Sequence, residues 1–281
     1  MSSSLVNIGC GATWHPAWTN LDVRPVSAQV RAWDVSHGLP FANEQVDACY
    51  ASHVLEHLTR EQAHALLIEC LRVLRPGGIV RLAVPDLEGI VREYLDVVTR
   101  ADKGEEAAID QYEWITLELL DQLVRDKSGG EMERYLRSKA VNNAAYVVGR
   151  IGPEAMNYMT VKSGSNGSSS SLGVASMMCA VARSVRSATS RVSSSLRGLL
   201  TEADGQEDAL RVGHFRLSGE CHRWMYDRFS LKQLLERCGF SRVRRCSAFE
   251  SGIAGFASFG LDVVDGKVRK PDSLFMEAMK P

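Results

Sequence analysis

Hydrophobic positions in the first third of the chain fall into short β-type runs: LVNIG (5–9), NLDV (20–23), VRAWDV (30–35), VDACYAS (46–52) and GGIVRLAVP (77–85). Turn-forming residues separate them, the pattern expected of buried strands. Between the last two, TREQAHALLIECLRVLRPGG sets Ala63, Leu66, Leu67, Cys70, Leu71 and Leu74 at helical spacing and ends on a Pro-Gly stop. Strands alternating with helical segments imply βαβ crossovers, so an α/β fold with a parallel sheet is predicted. From about residue 87 to 217 the pattern turns helical and irregular. The α/β pattern then returns with DRFSLKQLLERCGF, a helix with the cap-like Ser230 before it and Gly239 after it. The strand-like SRVRRCSAF and a final DSLFMEAMK follow. One sheet domain is therefore expected over 1–86 and 218–281, carrying a mainly helical insertion over 87–217. Phe256, Phe259, Leu261 and Val263 fit either a final strand pair or a subunit contact.

The turn after the first run carries the first chemical signal. In NIGCGAT, Gly9 and Gly11 follow a strand, where glycine tolerates positive φ and lets backbone approach a ligand. Asp22 closes the next strand, where an acid can accept hydrogen bonds from two ribose hydroxyls. The spacing argues against a dinucleotide fingerprint. That motif wants a third glycine, where Thr13 stands, and an acid about 20 residues further on after a full crossover helix. Only ATWHPAWTN separates Gly11 from Leu21, so the first crossover helix is expected to be truncated or missing. A nucleoside cofactor without a pyrophosphate fits better.

Bulk properties narrow the class further. The chain has 281 residues, enough for one large domain with an insertion. Its 33 basic and 34 acidic side chains nearly cancel, so nucleic acid is not expected as the main partner. The seven cysteines, Cys10, Cys49, Cys70, Cys179, Cys221, Cys238 and Cys246, include no CxxC pair, which speaks against a zinc ribbon or a disulfide framework. With no signal-peptide pattern and no apolar run long enough to span a bilayer, a cytoplasmic protein is expected.

The succession NIGCG, NLDV, WDVSHGLPFANEQVDACYASHVLEHL and LRVLRPGGIVRLAVPD resembles the class I S-adenosylmethionine-dependent methyltransferases of the type 11 group. The likeness runs from about Leu5 to Asp86 and returns more weakly from about Arg223. It implies a Rossmann-like sheet, mostly parallel with one antiparallel edge strand, and S-adenosyl-L-methionine as cofactor. Carried onto this chain, it puts Gly9 and Gly11 against the methionyl part and gives Asp22 the ribose hydroxyls. Asp34 and the Val35 backbone would meet the adenine, and His53 would lie near the methionine end. The shortened first helix and the absent third glycine depart from the family pattern.

A sulfonium-bound methyl is already activated, so such an enzyme must chiefly align an acceptor and exclude water; a hydroxyl acceptor also needs its proton removed. Two places offer a base. In HVLEHL, residues His53, Glu56 and His57 can share a helix face. The run resembles the ExxEH of methyltransferases that bind a divalent ion, with His53 where the first Glu should stand; the preferred assignment gives Glu56 and His57 a structural role and no metal. In GHFRLSGECHRWMYDRFS, His222 is the candidate general base, with Arg223, Tyr226 and His214 as candidates for acceptor binding; Trp224 and Tyr226 fit equally well as core aromatics. The expected reaction is methyl transfer to a small-molecule or sugar hydroxyl, the sugar resting on analogy with glycan-biosynthesis enzymes. The alternatives are N-methylation of a metabolite or peptide, and a cofactor-binding protein without turnover. The acid-free, serine-rich stretch over 172–200 reads as a solvated helix or lid, with peripheral contact to an anionic membrane or lipid-linked glycan as the third choice.

Overall fold

A computed structural model describes residues 4–138, 141–159 and 194–281, with backbone alone over 194–205. Seven strands make one sheet. In chain order the elements are β1 (Leu5–Ile8), β2 (Thr19–Asp22), β3 (Val30–Ala32), β4 (Val46–Ser52), α1 (Arg60–Val73) and β5 (Leu74–Pro85). Helices α2 (Leu87–Asp102), α3 (Glu106–Val124), α4 (Gly130–Leu136), α5 (Ala144–Ile151), α6 (Ala155–Met159) and α7 (Ser194–Leu217) follow. The chain then returns through α8 (Arg228–Arg237), β6 (Ser241–Cys246), the small hairpin β7 (Val263–Val264) and β8 (Lys267–Val268), and β9 (Ser273–Met279).

The sheet order is β3-β2-β1-β4-β5-β9-β6. All pairings among β1 to β5 are parallel, whereas β9 runs antiparallel to both β5 and β6. The antiparallel strand therefore stands one place in from the edge, not on it as the sequence suggested. The chain lays down β6 as the outermost strand and brings β9 back between β6 and β5. Helix α1 begins as predicted, with Thr59 and Gln62 forming a capping box. In α8 the cap is Asp227, whose carboxylate accepts from the backbone of Phe229 and Ser230. Ser230, expected as the cap, sits three residues further on and returns its side chain to the Asp227 backbone.

Strand alternation gives the sheet two unlike faces. Val6, Ile8, Cys49, Val80 and Leu82 pack on α1 and α8 through Leu66, Leu67, Leu231 and Leu235. On the opposite face no helix connects β1 to β2; residues 9–18 are turns. The surface left free, with Leu5, Ala48 and Tyr50, is covered by Trp18, Ile253, Phe256 and Leu261, with Phe259 packed beside them. Phe256 and Phe259 thus close the core in a single turn of helix, neither as strand residues nor on the outside.

A polar row crosses that same face. Asn20, Asn7, Tyr50, Arg81 and Glu277 are register neighbours on β2, β1, β4, β5 and β9. Arg81 is wholly buried. It bonds Asp262 at 2.8 Å, Glu277 at 2.8 Å and the carbonyls of Ser247 and Glu250, and its guanidinium lies over the Phe256 ring. Tyr50 donates its hydroxyl to Asp262 at 2.5 Å. The charge is matched, so its burial is tolerable. Arg81→Ala leaves Asp262 buried without a counter-ion and Glu277 with Arg244 alone, and is expected to cost about 3–5 kcal/mol in a urea melt. A loss below about 1 kcal/mol would mean that the network is not needed for stability.

Candidate cofactor and acceptor site

The order reverses between β1 and β4, and the crevice outside the carboxyl ends of the strands at such a switch point is where open α/β sheets bind ligands. A cavity of about 510 Å³ opens there, lined in part by Gly9, Gly11, Thr13, His53, Asp262 and Lys270. Gly9 and Gly11 have φ of +61° and +50°. A Cβ on Gly9 would lie 2.5 Å from Val54 Cγ2, so only glycine fits. Asp22 holds the turn: its Oδ2 accepts from the Gly11 backbone at 2.8 Å and its Oδ1 from that of Arg24. Beyond it a second recess is lined by Val23, Ala32, Trp33, Asp34 and His37. The backbone N–H of Ser36 holds the exposed Asp34 carboxyl below its usual range, leaving an ionised acceptor at the rim. Val35 adjoins this recess and packs its side chain on the core.

Thr13 replaces the third glycine without being idle. Its carbonyl accepts from Asn7 Nδ2, and its hydroxyl accepts from Arg269 Nη2 at 2.7 Å. Arg269 and Lys270 both pair with Glu154. The turn is thus clamped from the far side of the chain, a partnership that no local pattern in the sequence signals.

A second cavity of about 310 Å³ adjoins the first and shares His53, Tyr158 and Lys270 with it. Its remaining wall is half apolar, from Ile90, Met132, Leu136, Ile151 and Met225, and half polar, from Glu118, Gln122, Arg125, Glu133, His222 and Asp272. Most of this wall comes from α3, α4 and the segments beside them.

His53 stands between the two cavities. Its φ of +55° is a conformation that non-glycine residues seldom adopt, a strain that marks functional sites. Its Nε2 lies 2.9 Å from Ser273 Oγ and its Nδ1 3.0 Å from Glu56 Oε1. Burial pulls its pKa down, but the Glu56 carboxylate outweighs burial and the net shift is upward. Glu56 sits in a short turn, Leu55–His57, where its carbonyl accepts from the backbones of Arg223 and Trp224. Those bonds bring the 221–225 segment against the turn. Burial depresses His222 to about 3, which keeps its ring neutral.

The sequence candidates therefore divide. Gly9, Gly11, His53 and His222 line the cavities, and Asp22, Asp34 and Val35 border the glycine turn and its neighbouring recess. Arg223 is exposed, Tyr226 is buried in the core between α8 and the sheet, and His214 is exposed on α7; none of the three lines either cavity. Of the basic segment over 172–200, residues 172–193 lie outside the described residues.

The sheet order and the glycine turn at its switch point define a Rossmann-like nucleotide-cofactor domain. Residues 6–82 match the sequence profile described as "Methyltransferase domain". Over that segment the chain is similar to S-adenosylmethionine-dependent methyltransferases, a likeness that points to S-adenosylmethionine as cofactor. No curated protein matches the chain. Among solved structures, the complex of the Haloferax volcanii Trm112 methyltransferase activator with a methyltransferase aligns at 22% identity. The match covers 32% of this chain and 48% of that one, with a TM-score of 0.26. A methyltransferase from Thermotoga maritima aligns at 10% identity over 100% of this chain and 84% of its own, with a TM-score of 0.38. One from Archaeoglobus fulgidus gives 11%, 99%, 86% and 0.38 respectively. The alignments to the first of the solved structures span less than half of their length. Among the described residues, no helix is long and apolar enough to cross a membrane.

The chain's own residues fit the cofactor: a glycine turn that excludes side chains, the acid at the end of β2, and a second recess with an ionised rim. Titration with S-adenosylhomocysteine by calorimetry should show binding that weakens at least about tenfold in Asp22→Ala, since the lost bonds are charge-assisted. Unchanged affinity would remove Asp22 from the site. Burial and the neighbouring Asp22 carboxylate push the Cys10 thiol up to about 11. Its alkylation by N-ethylmaleimide, followed by peptide mass mapping, should still rise about tenfold per pH unit between about pH 8 and 10. A plateau near pH 9 would contradict that environment.

Proposed function

We propose that the chain transfers a methyl group from S-adenosylmethionine to a hydroxyl of a small molecule or sugar. The observation that carries this is the junction of the two cavities at His53, Tyr158 and Lys270. A cofactor seated over Gly9 and Gly11 occupies the first, and an acceptor in the second meets it across His53. When bound, the cofactor supplies a sulfonium-activated methyl group. What remains for the protein is alignment of the acceptor, exclusion of water and removal of the hydroxyl proton.

The second cavity suits a hydroxylated ligand. Its carboxylates, amide and cations offer hydrogen bonds on one side, and its aliphatic and methionine side chains take the ligand's carbon skeleton on the other. The helices over 87–159 supply most of that wall, so the insertion is assigned as the acceptor-site cover. His53 borders both cavities and is the side chain placed to receive the acceptor's proton, at Nε2 where the acceptor's hydroxyl would replace that of Ser273, while the Glu56 carboxylate beside Nδ1 stabilises the imidazolium that forms. His222, nominated from the sequence as the base, lines the same cavity but has a ring that binds protons poorly. It serves instead as a neutral donor or acceptor to what lies beside it.

The test is incubation with methyl-labelled S-adenosylmethionine and a panel of sugars, alcohols and amines, read by product mass. O-methyl products are expected, with turnover reduced about 100-fold or more in His53→Gln while S-adenosylhomocysteine affinity stays near wild type. Methylation of amines alone, or cofactor binding without any product across the panel, would overturn the reading.

A further inference from the structure

Glu56, His57 and His222 converge at the edge of the second cavity, and one donor atom from each lies within 4.8 Å of the others. Their surroundings are odd for ordinary core residues. The Glu56 side chain has no exposure, yet neither carboxylate oxygen takes a hydrogen bond. His53 Nδ1 approaches Oε1 to 3.0 Å but without the alignment of a hydrogen bond. His57 Nδ1 is also enclosed and unpartnered, and its ring meets that of His222 edge to face with centroids 4.9 Å apart. A buried carboxylate is expensive unless something takes its lone pairs. Besides His53, the neighbours of the Glu56 carboxylate are His57, whose Nδ1 has the same need, and His222, which borders the cavity beside them.

We propose that Glu56, His57 and His222 bind a divalent first-row transition-metal ion. Two imidazole nitrogens with one carboxylate oxygen suit zinc, iron(II) or manganese(II), whereas magnesium and calcium prefer all-oxygen sites. Zinc bonds of about 2.0–2.2 Å require donors about 3.4 Å apart, so the three side chains must close by roughly 1 Å when the ion enters. Their backbones are already fixed. The Glu56 carbonyl is held by Arg223 and Trp224, and the His222 N–H donates to the Gln122 carbonyl at 2.9 Å. His53 stands behind the carboxylate, where an outer partner orients a ligand. Three protein donors leave a coordination position open, and His57 and His222 both border the second cavity. If the methyl-transfer reading holds, that position faces the acceptor, where an ion would polarise a hydroxyl. Metal binding itself does not depend on that reading.

The experiment titrates zinc chloride into the full-length, chelator-treated protein by calorimetry, with bound metal counted by mass spectrometry and cobalt(II) added separately for its visible spectrum. One zinc per chain is expected, with a raised Tm and cobalt bands of a low-coordinate N/O site. His222→Ala and, independently, His57→Ala should weaken binding at least about tenfold and abolish the Tm shift, while His214→Ala, on the exposed face of α7, should leave both unchanged. Circular dichroism confirms that each variant is folded; should one not be, the other carries the comparison. Sub-stoichiometric zinc, or stoichiometric zinc that survives both substitutions, would overturn the proposal. A protein that methylates hydroxyls without binding zinc or cobalt loses the metal site and keeps the methyl-transfer reading; one that binds the ion but yields no methylated product does the reverse.

Discussion

Arg81 holds a full positive charge in the middle of β5 with no contact with water, and the opposing carboxylates arrive from far along the chain. Glu277 belongs to the next strand of the sheet. Asp262 belongs to the segment that crosses over the open face after β6. Pairing a buried charge is close to obligatory, so Arg81 dictates that this segment return to the sheet. With it come Phe256 and Leu261, which cover Leu5, Ala48 and Tyr50, and Asp262 itself, which borders the cofactor cavity. Further on, Arg269 reaches Thr13 in the glycine turn. A charge at the centre of the sheet thereby governs the shape of a cavity at its edge.

That arrangement compensates for what the first crossover lacks. A helix between β1 and β2 would cover one face of the sheet and steady the glycine turn. Residues 9–18 are too few and too rich in turn formers to build such a helix, and they give the cover Trp18 alone. The rest of the covering is supplied by 253–261 and the steadying by Asp22, Asn7 and Arg269. Likewise the second cavity draws its walls from the helical region after β5, and it meets the first where His53, in a left-handed conformation, stands with Tyr158 and Lys270.

Much of the sheet domain was legible because its signals are local. The runs that became β1 to β5 and the helical period of α1 depend on residues within a turn or two, and the switch point follows from strand order in a parallel sheet. The Asp227 cap was misassigned to Ser230 because both are cap formers three residues apart, and only geometry separates a cap from its capping-box partner. What the sequence hid is long-range. Thr13 and Arg269 meet across 256 positions, with no periodicity to announce the contact. One such contact did leave a trace: GGIVRLAVP and SLFMEAM each place one charge inside an apolar run, and opposite charges in two buried strands predict each other. At the site, neighbours in sequence diverged. His222 faces the cavity while Arg223 faces solvent, since an irregular segment fixes no alternation that a reader can extend.

The missing crossover helix also bears on how the protein comes into being. Strands β1 to β5 leave the ribosome well before most of the residues that cover them, and throughout that interval Leu5, Ala48 and Tyr50 have only Trp18 as apolar cover while Arg81 lacks both counter-ions. The early part of the chain cannot close as an independent unit, in contrast to a fold whose crossover helix follows its strand directly. Assembly of the cofactor cavity must therefore wait for nearly the whole polypeptide, which makes nascent chains the stage at which this protein is most exposed to aggregation and most dependent on chaperones.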